Sequence, residues 1–153
     1  LNFLDIDDVP ISEEGEIIDP GSIVTLPTKV DLPLIPEVAS PTDPFLVAVN
    51  ASGRKWVILI DEDGNPQLVL DADAYLRNVM TDTAAVDAYS HCHRPIIVTD
   101  ENSPLGHIIE RLREGIDVDS DAAIDKDIVL LWTDEVKKVI TGADLLGRLL
   151  RGI

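Results

Sequence analysis

Lys138-Val-Ile-Thr-Gly-Ala-Asp-Leu-Leu146 joins a β-branched pair to an apolar run of helical spacing. Val139 and Ile140 suit a strand. Thr141 suits a helix N-cap, and Asp144 stands three residues later, where a carboxylate can reach back to an unpaired backbone amide. Behind it Leu145, Leu146, Leu149 and Leu150 recur with the period of a helix face. The stretch is therefore a strand–helix junction, and the helix amino end offers free N–H groups to an anion. A hydroxyl and a carboxylate at this spacing can together contact a phosphate and a ribose diol. The same pair is also close to a simple capping box, with Asp in place of the usual Glu.

The elements upstream of this junction occur twice. Ile128-Val-Leu-Leu-Trp132, the turn Thr133–Glu135 and Lys138–Ile140 form a hairpin pattern ahead of the helix from Thr141 to Leu150. Val57–Ile60, a polar turn through Gly64 and Gln67–Leu70 do the same ahead of a helix from Asp71 to Met80. Each hairpin is preceded by a short helix with a side-chain cap, a proline in its first turn and a closing glycine: Asp43-Pro44 to Gly53, and Ser103-Pro104 to Gly115. A strand should precede each helix. Pro95–Thr99 supplies one, and Leu34–Val38, interrupted by Pro36, supplies at best an edge strand. The first helices start 60 residues apart (Asp43 and Ser103) and the second helices 70 apart (Asp71 and Thr141). The ten extra residues fall between Gly115 and Asp127, as expected of a surface loop, and carry the acidic stretch Asp117–Asp127. The expected fold class is α+β: two tandem β-α-β-β-α units packed as a pseudo-two-fold pair, with an extended N-terminal arm. Residues 1–30 read as an acidic connector, 31–82 as the first unit and 83–153 as the second. A unit of ~60 residues buries too little surface to stand comfortably alone, so the two should pack together.

Composition narrows the function. The chain has 153 residues, 45% of them apolar, with 12 Lys+Arg against 29 Asp+Glu and a formal charge of -17. That balance opposes binding to a nucleic-acid backbone or to anionic lipid. No apolar run approaches the ~20 residues of a membrane span, so no direct membrane insertion is expected. The single cysteine, Cys92, fits a reducing compartment. The sequence starts at Leu1 without a signal-peptide pattern, as expected of a piece of a longer chain. Seven carboxylates and no base lie between Leu1 and Pro20, including Glu13 and Glu14, and read as a solvated surface. Asp61-Glu-Asp-Gly-Asn65 comes nearest to a calcium loop, but Ala72 stands where the closing Glu belongs, so it reads as a hairpin turn. His91 and His93 would face the same way in an extended segment and suit zinc or nickel, yet further ligands are missing, and no metal site is expected. His107 falls on the polar side of its helix. Trp56 and Trp132 read as core or interface residues. Neither a base nor an oxyanion donor accompanies Cys92, and no catalytic triad or glycine-rich phosphate loop is present. The chain reads as a binding module and not an enzyme.

Residues 30–153 resemble a tandem CBS-domain pair (a Bateman module), most specifically at Val139–Leu146, although Lys138 stands where that family usually has glycine. The resemblance implies an adenosyl ligand such as AMP or ATP between the copies, with Asp144 on the ribose and Thr141 near the phosphate. Arg94, Pro95 and Ile96 would line the adenine pocket, with Lys138, Lys137, Arg94 or Arg54 as compensating cations. The first copy reads Leu68-Val-Leu-Asp-Ala-Asp-Ala74, with Asp71 in the Thr position, Ala74 in the Asp position and Asp73 out of register. At most one nucleotide per chain is therefore expected, and adenosine, AMP or a magnesium-complexed nucleotide suits the charge better than free ATP. The family commonly forms disc-like homodimers through its helices; here Leu145, Leu146, Leu149, Leu150 and Ile153 would contribute. The acidic lead segment is distantly similar to the connector of cyclin-M/CorC-type cation transporters. That similarity implies a regulatory, cytoplasmic module on the cytosolic face of a membrane protein, acting on an upstream domain of the same polypeptide. The competing reading is a ligand-free dimerisation or partner-docking module.

Overall fold

The computed structural model describes residues 8–37, 41–81, 86–117 and 127–151. The chain divides into two units, one running from Asp19 to Arg94 and the other joining the segment that ends at Ile18 to the chain from Pro95 onward.

In the first unit, strands β5 (Trp56–Ile60) and β6 (Pro66–Asp71) pair antiparallel. Their central residues, Val57 to Leu59 and Leu68 to Leu70, are fully buried, so the two runs are continuously apolar and not alternating. The turn between them is organised by Asp61, whose Oδ1 accepts from the backbone N–H of Asp63 (3.0 Å) and Asn65 (2.8 Å), while Gly64 supplies the positive φ of 86°. These hydrogen bonds, that from Asn65 foremost, hold the Asp61 carboxyl below its ordinary pKa. Helix α1 (Pro44–Ser52) starts with Asp43 accepting from Phe45 N–H at 2.9 Å and stops at Gly53 in the left-handed conformation. Helix α2 (Ala72–Thr81) follows β6 directly, and its Tyr75 packs edge-on against Phe45 with ring centroids 5.8 Å apart. Strand β2 (Ile23–Thr25) lies parallel to β5, and β7 (Cys92–His93) lies antiparallel to β6, giving the order β2-β5-β6-β7. A small hairpin of β3 (Thr28–Lys29) and β4 (Leu32–Pro33) stands between β2 and α1.

The second unit repeats this plan. Strands β9 (Ile128–Trp132) and β10 (Lys137–Thr141) form the hairpin, β8 (Ile96–Val98) lies parallel to β9, and β1 (Glu16–Ile17) lies antiparallel to β10. Helices α3 (Leu105–Asp117) and α4 (Gly142–Arg151) carry Leu105, Ile108, Leu112 and Leu145 into a core with Val129, Leu131 and Ile140. The α+β class, the two hairpins and the helix after each are as the sequence indicates.

Two expectations change. The first strand of the first unit is Ile23–Thr25, not Leu34–Val38. Ile23-Val-Thr25 is an unbroken β-branched run, whereas Pro33 and Pro36 remove ladder donors; residues 34–37 form no strand, and Val38 lies outside the described residues. The lead segment, in turn, is no extended arm from Asp8 onward. Ile11 is fully buried in the second unit's core, its N–H donates to Ser103 C=O at 2.9 Å, and Leu105 N–H donates to Val9 C=O at 2.9 Å. The repeat thus contains a lead element the sequence conceals: a short 3₁₀ turn and a two-residue strand, Ile11–Glu13 with β1 and Ala88–His91 with β7. These leads are exchanged. The strand just before β2 joins the second unit's sheet, and the one just before β8 joins the first unit's. Residues 1–7 and the acidic insertion at 118–126 lie outside the described residues.

The β3–β4 turn stores strain at Val30, a β-branched residue at φ 62° and 95% exposed. Val30→Gly should raise stability by about 1 kcal/mol, less the entropy glycine adds to the unfolded chain. A urea melt checks this, and an unchanged or lowered midpoint at constant slope would count against the strain.

Candidate functional site

The Thr141–Asp144 junction closes on itself as a reciprocal cap. Thr141 N–H donates to Asp144 Oδ2 at 3.0 Å, and Asp144 N–H donates to Thr141 Oγ1 at 3.2 Å. The capping arrangement is thus present, and it uses one of the two carboxylate oxygens of Asp144. Asp144 lines a cavity of about 270 Å³ together with Glu13, Glu14, Gly15, Ala143 and Gly147. Ala143 and Gly147 stand one turn apart on α4, and their lack of bulk keeps the helix surface open at that point. Gly15 has φ 78°, and a Cβ there would run into the Val139 carbonyl and the Ile140 side chain. Only glycine lets the lead segment pass so close to β10.

The cavity is acidic. Glu14 is only 4% exposed, and its Oε1 lies 3.3 Å from Arg148 Nε without accepting a hydrogen bond. Glu13 Oε2 lies 4.0 Å from Arg148 Nη2. Two carboxylates thus face one guanidinium, and Asp144 is a third acidic residue in the cavity lining. Such walls accept donors, a ribose diol or a cation-bearing group among them, and repel a bare phosphate.

The other residues expected at a nucleotide site are placed as follows. Lys138 Nζ donates to the Ser12 carbonyl, so it ties the lead segment to β10. Pro95 and Ile96 stand at the start of β8, with β9 between them and β10, and Ile96 is buried. Arg94 belongs to the first unit, where its Nη1 donates to the carbonyls of Asp31 (3.0 Å) and Gln67 (3.3 Å). Lys137 donates to Thr133 C=O at 2.7 Å and lies over Trp132, and Arg54 pairs with Asp19 at 3.1 Å. The cations expected to offset the charge each hold another group. Sequence reasoning missed Glu13, Glu14 and Gly15 as walls of the cavity; a lone glycine among acids carries no specific signal.

At the first unit's junction, Asp71 caps α2 through Ala74 N–H (3.1 Å) and pairs with Lys55 at 3.2 Å. The carboxylate that replaces the threonine is thereby used twice. Lys55 also lies 4.8 Å over the Trp56 ring, against whose plane His93 stands edge-on. His91 Nε2 lies 3.0 Å from Asn78 Oδ1 and sits in the 3₁₀ turn, not the strand, so it does not share a face with His93 by alternation. No group of three or more His, Cys, Asp and Glu that could hold a metal occurs among the described residues. Burial pushes the Cys92 thiol up to about 12, far from a reactive thiolate. His107 is exposed. Among the described residues no helix is long and apolar enough to cross a membrane.

No protein-family model matches the sequence, and no curated protein matches it. Solved structures do match its shape. The CBS domain of a candidate transporter from Clostridium difficile 630 is 10% identical, with a TM-score of 0.57, over 97% of this chain and 99% of that one. A CBS-domain pair with bound AMP from Klebsiella pneumoniae is 11% identical, with a TM-score of 0.52, over 93% of this chain and 98% of that one. The chain has the fold of a tandem CBS-domain pair.

Proposed function

We propose that the chain is a regulatory CBS-pair module, not an enzyme, that binds one adenine nucleoside or nucleotide at the second unit's Thr141–Asp144 junction. The cavity bounded by Asp144 and the lead segment carries this reading, and AMP in a structure of the same fold supports it. Asp144 receives the ribose hydroxyls, and the first turn of α4 faces the phosphate with Thr141 beside it. Pro95 and Ile96 remain the residues proposed against the base. Lys138 acts by holding the Ser12–Gly15 wall, and Arg94 keeps its carbonyl partners in the first unit. Because Glu13 and Glu14 line the cavity, adenosine, AMP or a magnesium-complexed nucleotide is preferred over free ATP. Occupancy changes the seating of the lead segment, and through it an attached upstream domain. The resemblance points to a membrane transporter with this module on its cytosolic face.

A second reading, a ligand-free dimerisation module, is favoured by Leu146 and Leu150, which are 58% and 62% exposed on α4. A homodimer through the helices fits either reading; the side chains of Leu149 and Ile153 lie outside those described. Calorimetric titration with adenosine, AMP, and ATP with and without magnesium separates the two. One site per chain is expected, with Asp144→Ala weakening AMP at least about tenfold. Asp144→Asn, which can keep the cap, controls for helix fraying. If nothing binds below millimolar and Asp144→Ala changes nothing, the ligand-free reading replaces the first.

A further inference from the structure

Glu13 and Glu14 are adjacent and carry the same formal charge, yet the fold treats them differently. Glu14 leaves the 3₁₀ turn in an extended conformation, and its side chain is only 5% exposed, with Oε1 3.3 Å from Arg148 Nε. Glu13 is the last residue of the turn, and its side chain is 60% exposed, with Oε2 4.0 Å from Arg148 Nη2. Arg148 is 33% exposed and stands one turn beyond Asp144 on α4.

Burial decides what each charge does. A nearly buried carboxylate is destabilising unless a cation stays beside it, so Glu14 and Arg148 fix one another and, with them, the seating of the Ser12–Gly15 wall. Lys138 on the Ser12 carbonyl and the close approach of Gly15 to β10 hold the same few residues. One guanidinium offsets one carboxylate. The charge on Glu13 therefore remains as net negative charge on the cavity lining. At that exposure its ion pair adds little to stability. It still acts on any charged group of an occupant, over a range that salt shortens. Asp144, the third acid of the lining, is committed to the cap of α4.

We infer that the two neighbours divide the roles: Glu14 is a positioning residue that holds the wall through Arg148, and Glu13 is the specificity-determining residue that limits how much negative charge an occupant can carry. The inference rests on the adenosyl reading of this cavity and adds which of two equal charges separates nucleoside from nucleotide.

Adenosine, AMP and magnesium-free ATP, titrated by calorimetry into the original chain, Glu13→Gln and Glu14→Gln, test it, with a urea melt of each protein. The two variants remove the same charge one residue apart. Glu13→Gln should raise the ratio of ATP to adenosine affinity at least about fivefold, as expected of one partly screened charge acting on several phosphate charges. That gain should shrink at higher salt. Glu14→Gln should weaken adenosine at least about fivefold and lower the urea midpoint by more than Glu13→Gln does. Arg148→Met should repeat the Glu14→Gln pattern, and combining the two should add little, because the pair is already broken. If Glu14→Gln does not fold, the Glu13→Gln ratio decides alone. An unchanged ratio in Glu13→Gln, with adenosine binding the original chain, overturns the inference and leaves the adenosyl site standing. The same follows if Glu14→Gln matches Glu13→Gln in both affinity and midpoint. If the original chain binds none of the three compounds, the adenosyl reading itself fails, and the inference with it.

Discussion

Ile11→Ala is expected to destabilise the protein by about 2–5 kcal/mol, the range for truncating a fully buried isoleucine. Ile11 has no accessible surface and packs with Leu105, Ile108 and Ile140, although it lies 85 residues or more from the other members of that core. Were residues 8–18 a solvated connector, the same substitution would cost less than about 0.5 kcal/mol, as at other surface sites. Chemical denaturation reads the difference. A matched substitution at the exposed Val30 or Leu34 should fall within that small range or be stabilising, which isolates burial as the cause. A near-zero effect at Ile11 would mean that the lead segment does not belong to the second unit.

Gly15→Ala should be comparably severe, at about 3 kcal/mol or more, because two costs add. The residue has φ 78°, where an L side chain is strained, and the new methyl would meet the Val139 carbonyl and the Ile140 side chain at once. Gly53 has nearly the same backbone strain (φ 62°) but nothing within 4 Å of its Cβ position. Gly53→Ala should therefore cost only about 1 kcal/mol, the backbone share alone. The excess at Gly15 measures how tightly the lead segment lies against β10. It should be accompanied by loss of ligand binding, since Glu13, Glu14 and Gly15 form one wall of the cavity. Equal costs at the two glycines would remove the close approach from the account.

These two residues mark where the sequence stopped being legible. The hairpins were readable because Val57–Ile60 and Ile128–Trp132 are long apolar runs bounded by turn residues. The helix that starts at Asp43 was readable because cap, proline and closing glycine are local signals, and each appears where expected. Thr141 and Asp144 were legible for the same reason, and their reciprocal hydrogen bonds span three residues. The lead elements were not. A two-residue strand such as β1 has no periodicity, and the buried residues that Ile11 clusters with lie far along the chain. Acidic neighbours and prolines give the segment the pattern of a solvated surface, which hides that Glu14 is nearly buried beside Arg148. At Ile23-Val-Thr25 a usable signal existed, three β-branched residues between Pro20 and Pro27, but the surrounding prolines drew the strand to Leu34–Val38 instead. The placement of Arg94 could not be read either, because its partners, the carbonyls of Asp31 and Gln67, are backbone groups with no sequence signature.

The central claim is that the second unit's strand–helix junction is the adenosyl site and the first unit's is not. Titrating AMP into the isotopically labelled chain, with amide shifts followed residue by residue, tests it most directly. The account predicts a single saturable process of one AMP per chain, with the largest shifts at Glu13–Gly15 and Gly142–Gly147, and none of that size at Asp71–Tyr75. Shifts centred on Asp71–Tyr75, or no shifts at any residue up to several millimolar AMP, would contradict it.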